Sequence, residues 1–121
     1  MSADWFNRLT IVLAGLLGAG GVAAAAAATH QGGALLAPLS LIAMTHAPAL
    51  LAAGLSGVAA LGLRAGVLAV GLGALLFCLD LAAKHLGGVS LFPYAAPIGG
   101  SGMIAGWALI GVSGLFLRAR S

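Results

Sequence analysis

Asp80 and Lys84 lie four residues apart in a long apolar stretch, with the acid N-terminal to the base. On a helix this spacing brings opposite charges onto one face in the favourable order. A charge at the bilayer centre costs roughly 2.5–3.5 kcal/mol on insertion scales, so an acid inside a span is a candidate for proton relay or cation binding. The alternative is a snorkelling ion pair, in which the two side chains neutralise each other near the surface. His46 lies beside Thr45 and just before Pro48. The proline leaves the carbonyl of Met44 without its helical donor, and an imidazole or hydroxyl nearby is suited to satisfy that region. A structural, hydrogen-bonded role is the first reading for His46, and a ligand, quinone or proton contact the alternative. His30 and His85 supply metal-ligand chemistry, but neither has a second histidine at helical spacing, so no metal is expected. The chain has no nucleophile–base pair, phosphate-cradling loop or paired carboxylates. The expectation is a non-enzyme with no resident cofactor.

The elements that hold these residues follow from the apolar runs. No Asp, Glu, Lys or Arg occurs between Arg8 and Arg64, and 62% of all residues are hydrophobic against 6% charged. A spanning helix needs about 20 apolar residues, so a chain of 121 residues accommodates four spans in one domain and little else. The fold class predicted is an all-α membrane protein with helices over roughly 6–28, 36–61, 65–86 and 101–117. Trp5 and Phe6 suit the headgroup level. Thr29 to Gly33 and Gly62 to Gly66 read as turns, and Gly87-Gly88 as a helix stop. Pro48 should kink the second helix. Residues 89–100, with two prolines and two glycines, read as an interfacial or shallow re-entrant loop. On this layout Asp80 lies about 22 Å along its helix, near the far surface.

Four spans return both termini to one side. That side carries Arg8, Arg64, Arg118 and Arg120 and the other only Lys84, which predicts cytoplasmic termini in a bacterial inner membrane. So few basic residues give no reason to expect nucleic-acid binding. Cys78 is the single cysteine, so no internal disulfide is possible. The first helix reads as an uncleaved span.

The chain also carries 20 glycines. Helices in lipid associate through close packing of small residues, and Gly62/Gly66 and Gly102/Gly106 form two such faces at four-residue spacing. More small faces exist than a four-helix bundle requires, and the surplus either packs against a second protein or simply follows a GC-rich genome's bias toward glycine and alanine.

Three motifs occur in order: Ala28-Thr29-His30-Gln31-Gly32 at the end of the first helix, Thr45-His46-Ala47-Pro48-Ala49-Leu50-Leu51 in the second, and Ala96-Pro97-Ile98-Gly99-Gly100 followed by Ala105-Gly106-Trp107 in the fourth. Together they resemble the YgdD-like family of small bacterial inner-membrane proteins, a domain of unknown function with mitochondrial relatives. His30, His46, Pro97, Gly99, Gly100, Gly106 and Trp107 match its pattern. Pro48 replaces a typical leucine, and Asp80 stands where a small polar residue is usual. The resemblance implies a fold and topology but no mechanism.

The functional expectation is a non-catalytic accessory or stabilising subunit. Its partners would be the lipid bilayer and a larger complex, respiratory or photosynthetic, or further copies of itself. A small proton-coupled transporter using Asp80 and His46, or a binder of quinone or another apolar cofactor, are the alternatives.

Overall fold

The computed structural model describes residues 4–118; Arg120, part of the charge argument above, lies outside them. Four helices follow one another: α1 (Trp5–Gln31), α2 (Leu36–Ser56), α3 (Leu61–Gly87) and α4 (Ala95–Gly114). Each is long and apolar enough to cross a membrane. The chain is an all-helical, four-span membrane protein.

Several boundaries differ from the sequence expectation, each for a local reason. Thr29, His30 and Gln31 stay helical, and α1 ends only where Gly32 and Gly33 take positive φ. α2 stops at Ser56 because Gly57 adopts the left-handed conformation (φ 66°, ψ 46°) that closes a helix. The α2–α3 turn is therefore residues 57–60, and Gly62–Gly66 is the first part of α3 instead of a break. The largest difference is at α4, which starts at Ala95 and absorbs Pro97, Gly99 and Gly100. Pro97 is the third helical residue, where the backbone N–H would have no helical acceptor, so the proline costs no bond. The loop shrinks to residues 88–94. Pro48 lies inside α2, and the helix runs through it.

The helices pack as two close pairs, α1 with α2 and α3 with α4. α3 is central: it also meets α2, and touches α1 only sparsely. Backbones in each pair approach where glycine removes the side chain. A Cβ on Gly99 would lie 2.6 Å from the Gly73 carbonyl oxygen, and one on Gly106 would lie 2.7 Å from that of Gly66. In the other pair, a Cβ on Gly54 would lie 2.6 Å from Thr10 Oγ1, and one on Gly21 would meet Met44. Ser40 Oγ donates to the Gly21 carbonyl at 3.0 Å, adding an interhelical hydrogen bond to that seam.

Contacts at the two ends establish the up-and-down order. Arg64 reaches Asp4, and Gly62 abuts Ser113, so both ends of the bundle chain lie beside the α2–α3 turn. At the opposite end Gln31 meets His85.

Candidate functional site

The polar residues fall into three separate groups. At the terminal end, Asp4 caps α1 by accepting from the Phe6 N–H at 3.2 Å and pairs with Arg64. The Arg64 guanidinium sits 5.0 Å over the Phe6 ring, and its Nε donates to the Val58 carbonyl at 2.7 Å. The Phe6 N–H holds the Asp4 carboxyl below its ordinary range, against the opposing effect of desolvation, with Arg64 reinforcing it. One arginine thus ties the α2–α3 turn to the first residues of α1. Nothing in composition marks this cluster, since Asp4 and Arg64 are 60 residues apart.

The second group surrounds Asp80, which is fully buried. Its Oδ1 accepts from the Leu91 N–H at 2.9 Å, and its Oδ2 lies 3.1 Å from Lys84 Nζ. The i, i+4 pair expected from sequence is present. The contact to Leu91 is the addition: it pins the α3–α4 loop, just ahead of Tyr94, whose positive φ of 65° turns the chain into α4. Lys84 remains partly exposed, consistent with an ammonium reaching toward the headgroups. The carboxylate is thus engaged by two partners, a lysine and a backbone amide.

The third group is in the middle of the bundle. His46 Nε2 lies 3.0 Å from Trp107 Nε1, and its Nδ1 lies 2.8 Å from the Ile42 carbonyl oxygen. An indole N–H can only donate. Nε2 must therefore accept, which assigns a neutral imidazole with its proton on Nδ1, donated to Ile42. The rings meet edge-on, with centroids 5.8 Å apart. The sequence expectation that His46 and Thr45 serve the Met44 carbonyl is corrected: Thr45 donates to Leu41 at 2.7 Å, and His46 to Ile42. Both fall one turn or so earlier because these side chains reach back along their own helix. Trp107 is 44% exposed, and its contact with His46 was not legible in the sequence, where it stood only as part of the Gly106-Trp107 motif.

The structure does not bring the other candidates together. His46 and Asp80 belong to separate groups with different partners. His30 is exposed at the end of α1, and it is Gln31 that approaches His85, with Oε1 and Nε2 3.4 Å apart. Among the described residues, no group of three metal-ligating side chains gathers. Cys78 is buried and directs its thiol to the Leu39 carbonyl at 3.7 Å.

The glycine faces also need revision. Gly62, Gly66 and Gly106 are used inside the molecule, at the α3–α4 seam. Gly102 faces the same seam more loosely, 3.7 Å from Gly73. Gly62, Gly66 and Gly106 are therefore closed to a second protein. Gly100, Gly111 and Gly114 of α4 have nothing within 4 Å.

No protein-family model, characterised protein or solved structure matches this chain.

Proposed function

We propose that this protein is a non-catalytic accessory or stabilising subunit that packs sideways on a larger complex of a bacterial inner membrane, with both termini cytoplasmic. The observation that carries the reading is the outer face of α4. After the bundle has used its close-packing glycines, Gly100, Gly111 and Gly114 remain open, and at 3.6 residues per turn they share one stripe with Ile104 and Trp107, 74% and 44% exposed, so that the small residues lie at its two ends, on either side of the indole that reaches His46. Small residues on a lipid-facing helix let a neighbouring backbone approach closely. A respiratory or photosynthetic complex is the host class we favour.

The polar groups support a non-transporting role. Asp80 is engaged by Leu91 and Lys84, and both nitrogens of His46 are engaged by Trp107 and Ile42. A proton carrier needs a group free to exchange partners during its cycle. The excess of arginine at the terminal end supports the cytoplasmic assignment. The YgdD-like motif order is compatible with the same layout and remains part of the proposal.

The test is native electrophoresis of gently solubilised membranes containing the tagged chain. The reading expects co-migration with one large complex at fixed stoichiometry, lost in a Gly100→Leu, Gly111→Leu double variant that still inserts. Migration of the wild type as an isolated monomer or small oligomer would overturn it.

A further inference from the structure

The bundle repeats one plan twice. α1 and α2 form a hairpin of 27 and 21 residues, and α3 and α4 form one of 27 and 20. Counted from their first residues, α2 and α4 both carry proline at the third position (Pro38, Pro97) and methionine at the ninth (Met44, Met103). Both then carry Ala-Leu at the fourteenth and fifteenth (Ala49-Leu50, Ala108-Leu109). The seams inside the hairpins correspond as well. Met44 packs on Gly21 as Met103 packs on Gly73; Gly54 meets Thr10 as Ser113 meets Gly62; Ala47 lies by Gly18 as Gly106 lies by Val70. All three correspondences keep one offset between α1 and α3, so Gly15 is the counterpart of Val67 and Gly18 that of Val70. Same-way repeats of this kind are a recurrent plan in membrane proteins.

The two hairpins meet through different faces. α2 lies in the groove of the second hairpin, where His46 reaches Trp107 and Leu50 abuts Gly71. Ala49 and Leu50 close a cavity of about 140 Å³ over Val67, Val70, Trp107 and Ile110. The counterparts of those last four are Gly15, Gly18, Pro48 and Leu51. All four line an open groove of about 460 Å³ between α1 and α2. The opposite holds for the helix that fills the groove. Leu39 and Leu50 of α2 are buried, whereas their counterparts on α4, Ile98 and Leu109, are exposed. Each hairpin thus has a ridge and a groove. Within the chain the first ridge fills the second groove, which leaves the first groove and the second ridge over. A two-fold relation between the hairpins would bring α4 onto α1 as α2 lies on α3. Among the described residues α1 and α4 do not touch, so the arrangement stays open.

We infer that the α1–α2 groove receives the α4 ridge of a second copy of this chain, with Leu109 over Gly15 and Gly18. The contact repeats between chains the packing that α2 makes within one. The repeat is what selects the occupant: the counterpart groove holds a helix bearing Ala-Leu, and α4 bears the same pair at the same position. Both hairpins run the same way across the bilayer, so the copies keep one topology. The interface is head-to-tail, each chain giving a ridge and receiving one, and copies add until a ring closes. Leu109 is two residues from Trp107 and therefore on the opposite side of α4, away from the Gly100–Gly114 stripe. A ring bound to a larger complex satisfies both readings, and a ring without a host satisfies this one alone.

The test is disulfide crosslinking with copper phenanthroline in native membranes, in the full chain with Cys78→Ala. Because α1 and α4 do not touch within a chain, a disulfide between them joins two chains. Gly15→Cys with Leu109→Cys should give a ladder of dimers and higher multiples. Either substitution alone should give none, since a ridge meets a groove and never itself. Co-expressed single variants should give dimers only. Absence of crosslinks from the double variant overturns the proposal, as do dimers of Leu109→Cys alone as abundant as the ladder. Equal crosslinking when Ile104→Cys, on the other side of α4, replaces Leu109→Cys also overturns it. If the double variant does not accumulate, the co-expressed single variants decide: a mixed dimer supports the interface and its absence refutes it.

Discussion

Asp80 shows how a single buried charge can be structural. Its carboxylate holds the α3–α4 loop through Leu91 and is balanced by Lys84. Asparagine retains an oxygen that can accept from the Leu91 N–H; alanine does not. Asp80→Ala should therefore lower the thermal midpoint in detergent clearly more than Asp80→Asn. Equal effects would mean that charge alone matters and that the loop contact is idle. His46 makes a comparable case at the bundle centre. Trp107→Phe keeps the ring but removes the donor to Nε2, at a cost of about 1 kcal/mol for one hydrogen bond between membrane helices. The imidazole nitrogen shifts of the wild type should report the proton on Nδ1; a proton on Nε2 would contradict the Trp107 contact. The i, i+4 spacing of Asp80 and Lys84 was readable in the chain, because it depends only on helical periodicity. The Leu91 and Trp107 contacts were not, since each depends on where a different helix or loop comes to rest.

At the scale of elements, α4 is joined to its neighbours narrowly. Its backbone packs on α3 alone, through glycines, and Trp107 extends to α2. Alanine at Gly99 or Gly106 places a Cβ against backbone atoms of α3, which cannot yield as a flexible side chain would. Each substitution should destabilise by about 1–3 kcal/mol. Gly100→Ala, one residue from Gly99 but facing open space, should be neutral or slightly stabilising, since alanine is the better helix former. Unfolding curves of the three variants check this contrast; a loss at Gly100 equal to that at Gly99 would rule out the α3–α4 register. The start of α4 also shows why a proline and two glycines mislead. Read one by one they signal a loop, yet Pro97 falls in the first turn and Gly99 is required by contact with Gly73.

For the whole molecule, the arrangement of ends makes a topological statement. With cytoplasmic termini, Gln31 and His85 face the opposite compartment from Arg64 and Val58. A Gln31→Cys variant lacking Cys78 should react with a membrane-impermeant maleimide added to intact cells, while a Val58→Cys variant should react only after lysis. The reverse pattern would invert the orientation. The sequence by itself determined the solvent, the number of spans and the asymmetry of charge, because these depend on composition and on distance along the chain. It also marked small residues as the means of packing. Only the tertiary structure decided which glycines close the α3–α4 seam and which stay open, because a glycine's role depends on the backbone opposite it. The alanine run from Ala23 to Ala28 has the same helical propensity throughout, yet Ala24 is buried and Ala26 exposed, because burial depends on where the other helices come to lie.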